Sequence, residues 1–226
     1  MASHASTVDA VIGAAYAADY RAFDSSDGKT RSNVRNAVPV DPGYATLLSR
    51  ILALSSPGGT HCVQFVACGA TGCATGVALA AARAGASILG RSLLINARLE
   101  LDADNVPDGT DGAPVPDAFV PQLYHHRLAR RPVDIALLFG GARRSALNTL
   151  ITPFRFVAID TPPPNAAPSA SALAPLCIGS VLVVRAGVTT RAAIREVAQH
   201  LTGAGGKIIG TVLDHAPVNL PRWISG

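Results

Sequence analysis

A short apolar run at residues 63–68 enters a loop of small residues, Gly69-Ala-Thr-Gly72-Cys-Ala-Thr-Gly76, and the loop opens into an alanine-rich stretch at 77–89. Strand, glycine turn and helix in direct succession form the first part of a βαβ unit. Such a unit needs a right-handed crossover and a parallel sheet covered on both faces. Gly90 stands where a left-handed helix C-cap is wanted. The same alternation returns along the chain. Strands are expected at 93–95, 119–123, 156–159, 180–184 and 208–213, and helices at 44–54, 134–150 and 190–201. Thr189 or Thr190 is the expected N-cap of the last helix. The fold class is α/β, with a three-layer α/β/α arrangement around a mostly parallel sheet.

Before this pattern lies a different kind of sequence. Residues 8–23 are alanine-rich and read as a helix, and 25–42 are rich in Ser, Asp, Asn, Lys and Arg and read as a linker. The chain therefore divides into an arm and linker at 1–42 and a domain at 43–226. Apolar residues make up 49% and charged residues 15% of the 226 residues, enough for a large core and too apolar for disorder. Aromatics are 5%, so aliphatic side chains must fill that core. No secretory leader is expected at the start, where Asp9 and Asp19 interrupt a stretch without a basic beginning. The alanine-rich run is too short to span a bilayer.

The net charge of +4 is not a nucleic-acid footprint, and no nucleic-acid partner is expected. Arg127, Arg130, Arg131, Arg143, Arg144 and Arg155 read as a solvated basic face. The four cysteines, Cys62, Cys68, Cys73 and Cys177, form no CxxC pair, so neither disulfides nor a metal site is expected. His125 and His126 are adjacent on an expected extended segment, point to opposite sides, and cannot chelate one metal.

The residues that can carry chemistry are Gly69, Gly72, Cys73, Ala74, Thr75, Gly76 and Asp160. Small residues between a strand and a helix let backbone N–H groups approach a phosphate, and the helix N-terminus adds a favourable dipole. A complete phosphate-binding P-loop also needs a lysine for the outer phosphates and a Ser or Thr for magnesium. Counted from Gly72, those positions hold Thr75 and Gly76, so both groups are missing. Asp160 ends an apolar strand where parallel sheets bind ligands, and in an intact site it would hold magnesium. The plain structural readings are a tight strand-to-helix turn for the loop and a turn-capping Asp at 160. No catalytic residue and no metal ligand follow from the sequence. The only cofactor in view is weakly held ATP or ADP.

Phe156-Val-Ala-Ile-Asp160-Thr-Pro-Pro resembles the Walker B segment of the bacterial tyrosine kinases of capsule and exopolysaccharide synthesis. The resemblance extends through Leu173-Ala-Pro-Leu, Gly179-Ser-Val-Leu-Val-Val-Arg185-Ala-Gly187-Val-Thr-Thr190 and Gly203-Ala-Gly-Gly-Lys-Ile-Ile-Gly210-Thr-Val-Leu213. It closes on Leu220-Pro-Arg-Trp223 and covers about residues 43–223, including the Ser-Ser-Pro-Gly-Gly turn that ends at Gly59. It implies a P-loop NTPase-like fold of the deviant Walker type. The same resemblance marks departures. Thr75 and Gly76 replace the loop lysine and hydroxyl, and Asn96 and Arg98 stand where the family has aspartates after its second strand. Ser169 and Ile178 fall near further family aspartates, and Asp214 matches the adenine-reading asparagine. Asp160 alone remains of the catalytic carboxylates, and Arg98 is a candidate to replace part of the lost charge. The family's C-terminal tyrosine cluster and the arginines of its oligomerisation helix are not matched.

Phosphoryl transfer rests almost wholly on positioning and electrostatic stabilisation. Groups of the lost kind are each worth a few kcal/mol, so their joint loss implies a protein without useful turnover. What the resemblance implies is therefore a catalytically inactive, kinase-like protein that supports exopolysaccharide or capsule biosynthesis and export. It would dock from the cytoplasm on a membrane polysaccharide co-polymerase and could form a homo-oligomer. The alternatives are a residual ATP-binding tyrosine kinase or ATPase, and an NAD-dependent sugar-nucleotide reductase or epimerase. The last is disfavoured because the third glycine of its loop would fall on Thr75 and no tyrosine–lysine pair is available.

Overall fold

The computed structural model describes residues 41–54, 58–69, 74–98, 113–128 and 141–215. The expected helix at 8–23, most of the 25–42 linker, Gly72, Cys73, most of the acidic, Gly/Pro-rich stretch at 102–116, which reads as a loop, and the first part of the 134–150 pattern lie outside them. So does the closing segment at 220–223.

Helix α1, Pro42–Ala53, begins one residue inside the expected linker. Asp41 caps it: the carboxylate accepts the Gly43 N–H at 2.7 Å, and Pro42 supplies a preset first turn. Tyr44, Leu48 and Ile51 recur at helical spacing and form its buried stripe. Strand β1, His61–Ala67, leads to helix α2, Thr75–Ile88, and strand β2, Ser92–Asn96. Gly90 has φ +91°, the left-handed turn expected after α2.

Strands β3, Val115–Pro116, and β4, Leu123–Arg127, come next. They are followed by helix α3, Arg143–Ile151, strand β5, Phe156–Thr161, and the short helix α4, Ser169–Leu173. Strand β6, Gly179–Arg185, helix α5, Arg191–Gly203, and strand β7, Ile208–Asp214, complete the described elements. Thr190, of the two candidates, is the N-cap of α5, accepting the Ala193 N–H at 3.2 Å.

The seven strands lie in the order β3-β4-β2-β5-β1-β6-β7, with every neighbouring pair parallel except β3–β4. Side chains alternate across this sheet. Val63, Phe65 and Ala67 of β1 pack with α1 and α2 on one face. Cys62 and Val66 of the same strand join clusters on the other face, under α3, α4 and α5. The three-layer α/β/α architecture follows.

From adjacent strands β1 and β5 the chain leaves to opposite faces, by α2 after β1 and by α4 after β5. Such a divergence opens a crevice at the carboxyl ends of the two strands, the usual ligand position of a parallel sheet.

The strand expected at 119–123 lies four residues later. Phe119 is 88% exposed, in a turn built by Asp117, whose Oδ1 accepts the N–H groups of Phe119 and Val120, each at 2.8 Å. The strand that forms, Leu-Tyr-His-His-Arg, is only partly apolar. His126 is buried and His125 faces outward to meet Asp117 Oδ2 at 2.6 Å. Burial would raise the Asp117 pKa, but the two N–H donors and His125 outweigh it and hold the carboxyl below its ordinary value of 3.8. A depressed carboxylate contributes stability that is present above its unfolded pKa and lost as pH falls through the folded one. Hydrogen exchange at the Phe119 and Val120 amides should therefore be protected at neutral pH and lose that protection below about pH 4. Asp117→Ala should show the unprotected behaviour at all pH values.

Cys62 and Cys177 bring their sulfurs to 3.9 Å as free thiols, and burial pushes the Cys68 thiol up to about 12. No cluster of potential metal ligands occurs among the described residues.

Candidate functional site

The crevice between β1 and β5 holds the sequence-nominated residues that the structure describes. Gly69 follows β1 with φ +92°, a conformation that a side chain would strain. Its neighbour Cys68 is tied to the end of β6: the Cys68 N–H donates to Val183 O at 2.9 Å, and the Thr189 hydroxyl donates to Cys68 O at 3.2 Å. Thr189 Oγ1 also accepts the Arg185 N–H at 3.0 Å. Ala74 is buried just before α2, and Thr75 and Gly76 are the first two residues of that helix. Among these residues the structure brings Thr75 to Asp160. Gly76 lies in the same first turn, with open space around its Cα.

Asp160 sits on β5 in register with Phe65 of β1 on one side and Asn96 of β2 on the other. This central position leaves it only 1% exposed. The Thr75 hydroxyl donates to Asp160 Oδ2 at 2.6 Å, and Arg98 Nε stands 3.4 Å from the same oxygen. Arg98 is set in place by its own backbone. Its N–H donates to Asn96 Oδ1 at 2.9 Å, and the preceding Ala97 N–H donates to Asp160 O at 2.8 Å. Asp160 Oδ1 is buried without a hydrogen-bond partner among the described residues. Burial raises the Asp160 pKa, against the smaller opposing pulls of the Thr75 hydroxyl and the Arg98 guanidinium.

Two roles here were not legible at the level of single residues. Thr75 was seen as a missing lysine, not as the donor that satisfies Asp160. Arg98 was seen as spare charge, and the structure makes it the cation of the buried carboxylate. The Asn-x-Arg order at the end of β2 carried the only signal, because an Asn two residues earlier can fix an N–H by an Asx turn. Ser169, near a family aspartate position, opens α4 with its hydroxyl buried and unpartnered among the described residues. Asp214 ends β7 and meets His215 at 3.5 Å.

A glycine turn between a central parallel strand and a helix, with an Asp at the end of the adjacent strand, defines a P-loop type of α/β domain. Comparison with known proteins places it more closely. A 72-residue stretch is 35% identical to the Staphylococcus aureus protein CapB, a candidate tyrosine-protein kinase. That stretch is 32% of this chain and 32% of CapB, so the match spans about a third of either protein. No protein-family model matches the chain. Among solved structures, the chimerical protein CapA2B2 superposes with a TM-score of 0.63 at 19% identity, covering 79% of this chain and 86% of that one. The kinase domain of Escherichia coli tyrosine kinase ETK gives 0.61 at 19% identity, covering 85% and 86%. The BceF tyrosine kinase domain gives 0.59 at 21% identity, covering 77% and 75%. The chain shares the α/β fold of these kinase domains, and about a third of it is similar in sequence to CapB.

That fold implies a magnesium nucleotide, and the described residues do not suit one. Magnesium demands oxygen lone pairs in near-octahedral array at about 2.0–2.1 Å. Here Asp160 Oδ2 already receives a hydroxyl and faces a guanidinium, so Oδ1 alone is open to a cation, while the lysine and hydroxyl positions hold Thr75 and Gly76.

Proposed function

We propose that the chain is a catalytically inactive, kinase-like component of capsule or exopolysaccharide biosynthesis and export. It acts in the cytoplasm by docking on a membrane polysaccharide co-polymerase, where it occupies the place of a kinase domain without transferring phosphate. Gly69, Gly72, Cys73, Ala74, Thr75, Gly76 and Asp160 are then a vestigial nucleotide site. The observation that carries this reading is the inward closure of Asp160 on Thr75 at 2.6 Å and Arg98 at 3.4 Å. A carboxylate with one oxygen committed to an internal hydroxyl and guanidinium is a poor ligand for a hydrated cation, and position 75 holds a threonine in place of the loop lysine. The sequence match to CapB supports the kinase-like part of the reading, and the polysaccharide setting rests on the resemblance of residues 156–163 to the Walker B segment of the capsule kinases. No helix among the described residues is long and apolar enough to cross a membrane, and membrane contact in this proposal runs through the partner.

The test is genetic. In a strain lacking this chain and defective in polymer yield or length, Asp160→Ala and Thr75→Ala should restore both to the wild-type level. A well-expressed Asp160→Ala protein that fails to complement would show that the carboxylate does chemistry.

A further inference from the structure

We propose that Arg98 is a built-in replacement for a divalent cation at Asp160, so that the site excludes magnesium-type ions. The inference deepens the reading of this crevice as a former nucleotide site and rests on it. Its observations are geometric. Asp160 is buried at the centre of the sheet, where an uncompensated carboxylate is costly. One positive group among the described residues reaches it, the guanidinium of Arg98 at 3.4 Å. That group is directed there by two backbone anchors, Asn96 Oδ1 on the Arg98 N–H and the Ala97 N–H on Asp160 O. The Thr75 hydroxyl approaches the same oxygen from the first turn of α2 at 2.6 Å. The hydroxyl aims its hydrogen at Oδ2, the guanidinium sets a fixed positive charge beside the same oxygen, and Oδ1 is buried without a donor among the described residues. A metal ion entering here would find Oδ1 as the one open oxygen and would have to sit within a few ångströms of a fixed cation. Arg98 thus determines specificity: it neutralises the carboxylate with a charge the protein carries itself, and Asp160 needs no exchangeable ion.

The probe is Mn²⁺ alone, followed by electron paramagnetic resonance of the free ion and by calorimetry. Four forms of the full chain are compared: wild type, Arg98→Ala, Arg98→Gln, and Arg98→Ala combined with Asp160→Asn. Wild type should show no Mn²⁺ site that depends on Asp160. Arg98→Ala should gain one, with affinity raised about a hundredfold or more, since a cation a few ångströms from a divalent ion in a partly buried site repels it by at least that factor. The double variant should lose the gain. Arg98→Gln keeps most of the side chain's bulk and covers the case in which the alanine variant does not fold. Asp160-dependent binding in wild type would overturn the inference. So would a folded Arg98→Gln protein with no gain. Phosphate transfer is read separately, by labelling with ATP, so failure of this inference and failure of the inactive-kinase reading are distinguishable.

Discussion

Gln64→Leu should lower the stability of the protein by about 3 kcal/mol, although leucine is nearly the right size and more apolar. Gln64 lies on β1, fully buried, and its amide joins four elements. Nε2 donates to Ala170 O of α4 at 2.8 Å and to Thr161 Oγ1 of β5 at 3.2 Å. Oε1 accepts the Ser180 hydroxyl of β6 at 2.8 Å, and the Thr161 hydroxyl donates onward to Phe65 O at 3.1 Å. Leucine would strand the Ser180 hydroxyl with no water to replace the amide, while the Ala170 carbonyl would keep only the Ala174 N–H. Removing one partner of a buried network costs the desolvation of those that remain, whereas removing all of them can be nearly neutral. Denaturant unfolding of Gln64→Leu beside a Gln64→Leu/Ser180→Ala double variant would check this. The second change should recover part of the loss, and a Gln64→Leu protein as stable as wild type would contradict the network's role.

Gly85→Ala should destabilise by about 2 kcal/mol, although alanine is the better helix residue by about 1 kcal/mol. Gly85 faces the sheet from the last turn of α2. A Cβ there would lie 2.5 Å from Phe156 Cδ1 and 2.9 Å from Ser92 Oγ. Phe156 is fully buried on β5 and cannot swing away, so α2 itself must lift from β5 and β2. Gly76 supplies the control within the same helix. Nothing lies within 4 Å of a Cβ at that position, so Gly76→Ala should be neutral or slightly stabilising. Thermal melts of the two variants should therefore move in different directions. Equal shifts would mean that helix propensity alone governs α2.

The parallel sheet was legible because its central strands are buried on both faces and so read as apolar runs, unbroken at Phe156–Ile159 and interrupted only by Gln64 at 63–68. Strand β4 was not, because it lies near the sheet edge. Its His125 and Arg127 are turned outward, while the more apolar Phe119 projects from a turn. Helix α4 was missed for another reason: five residues hemmed by prolines show no full helical period. At the candidate site, Asp160 and the glycine turn were visible from spacing alone. The bond between Thr75 and Asp160 was not, because it joins residues 85 positions apart and depends on the register that sets β5 beside β1. Arg98 was visible as a charge, and only the Asx turn at Asn96 gives it a direction.

The central claim is that the Asp160 carboxylate is held by the protein's own donors and takes no part in phosphate transfer. The most direct measurement is incubation of the purified chain with γ-labelled ATP and magnesium, with transfer to protein and release of phosphate both counted, beside Asp160→Ala prepared in the same way. The account predicts that wild type and Asp160→Ala are indistinguishable and at background. Labelling or hydrolysis by wild type that Asp160→Ala abolishes would contradict it.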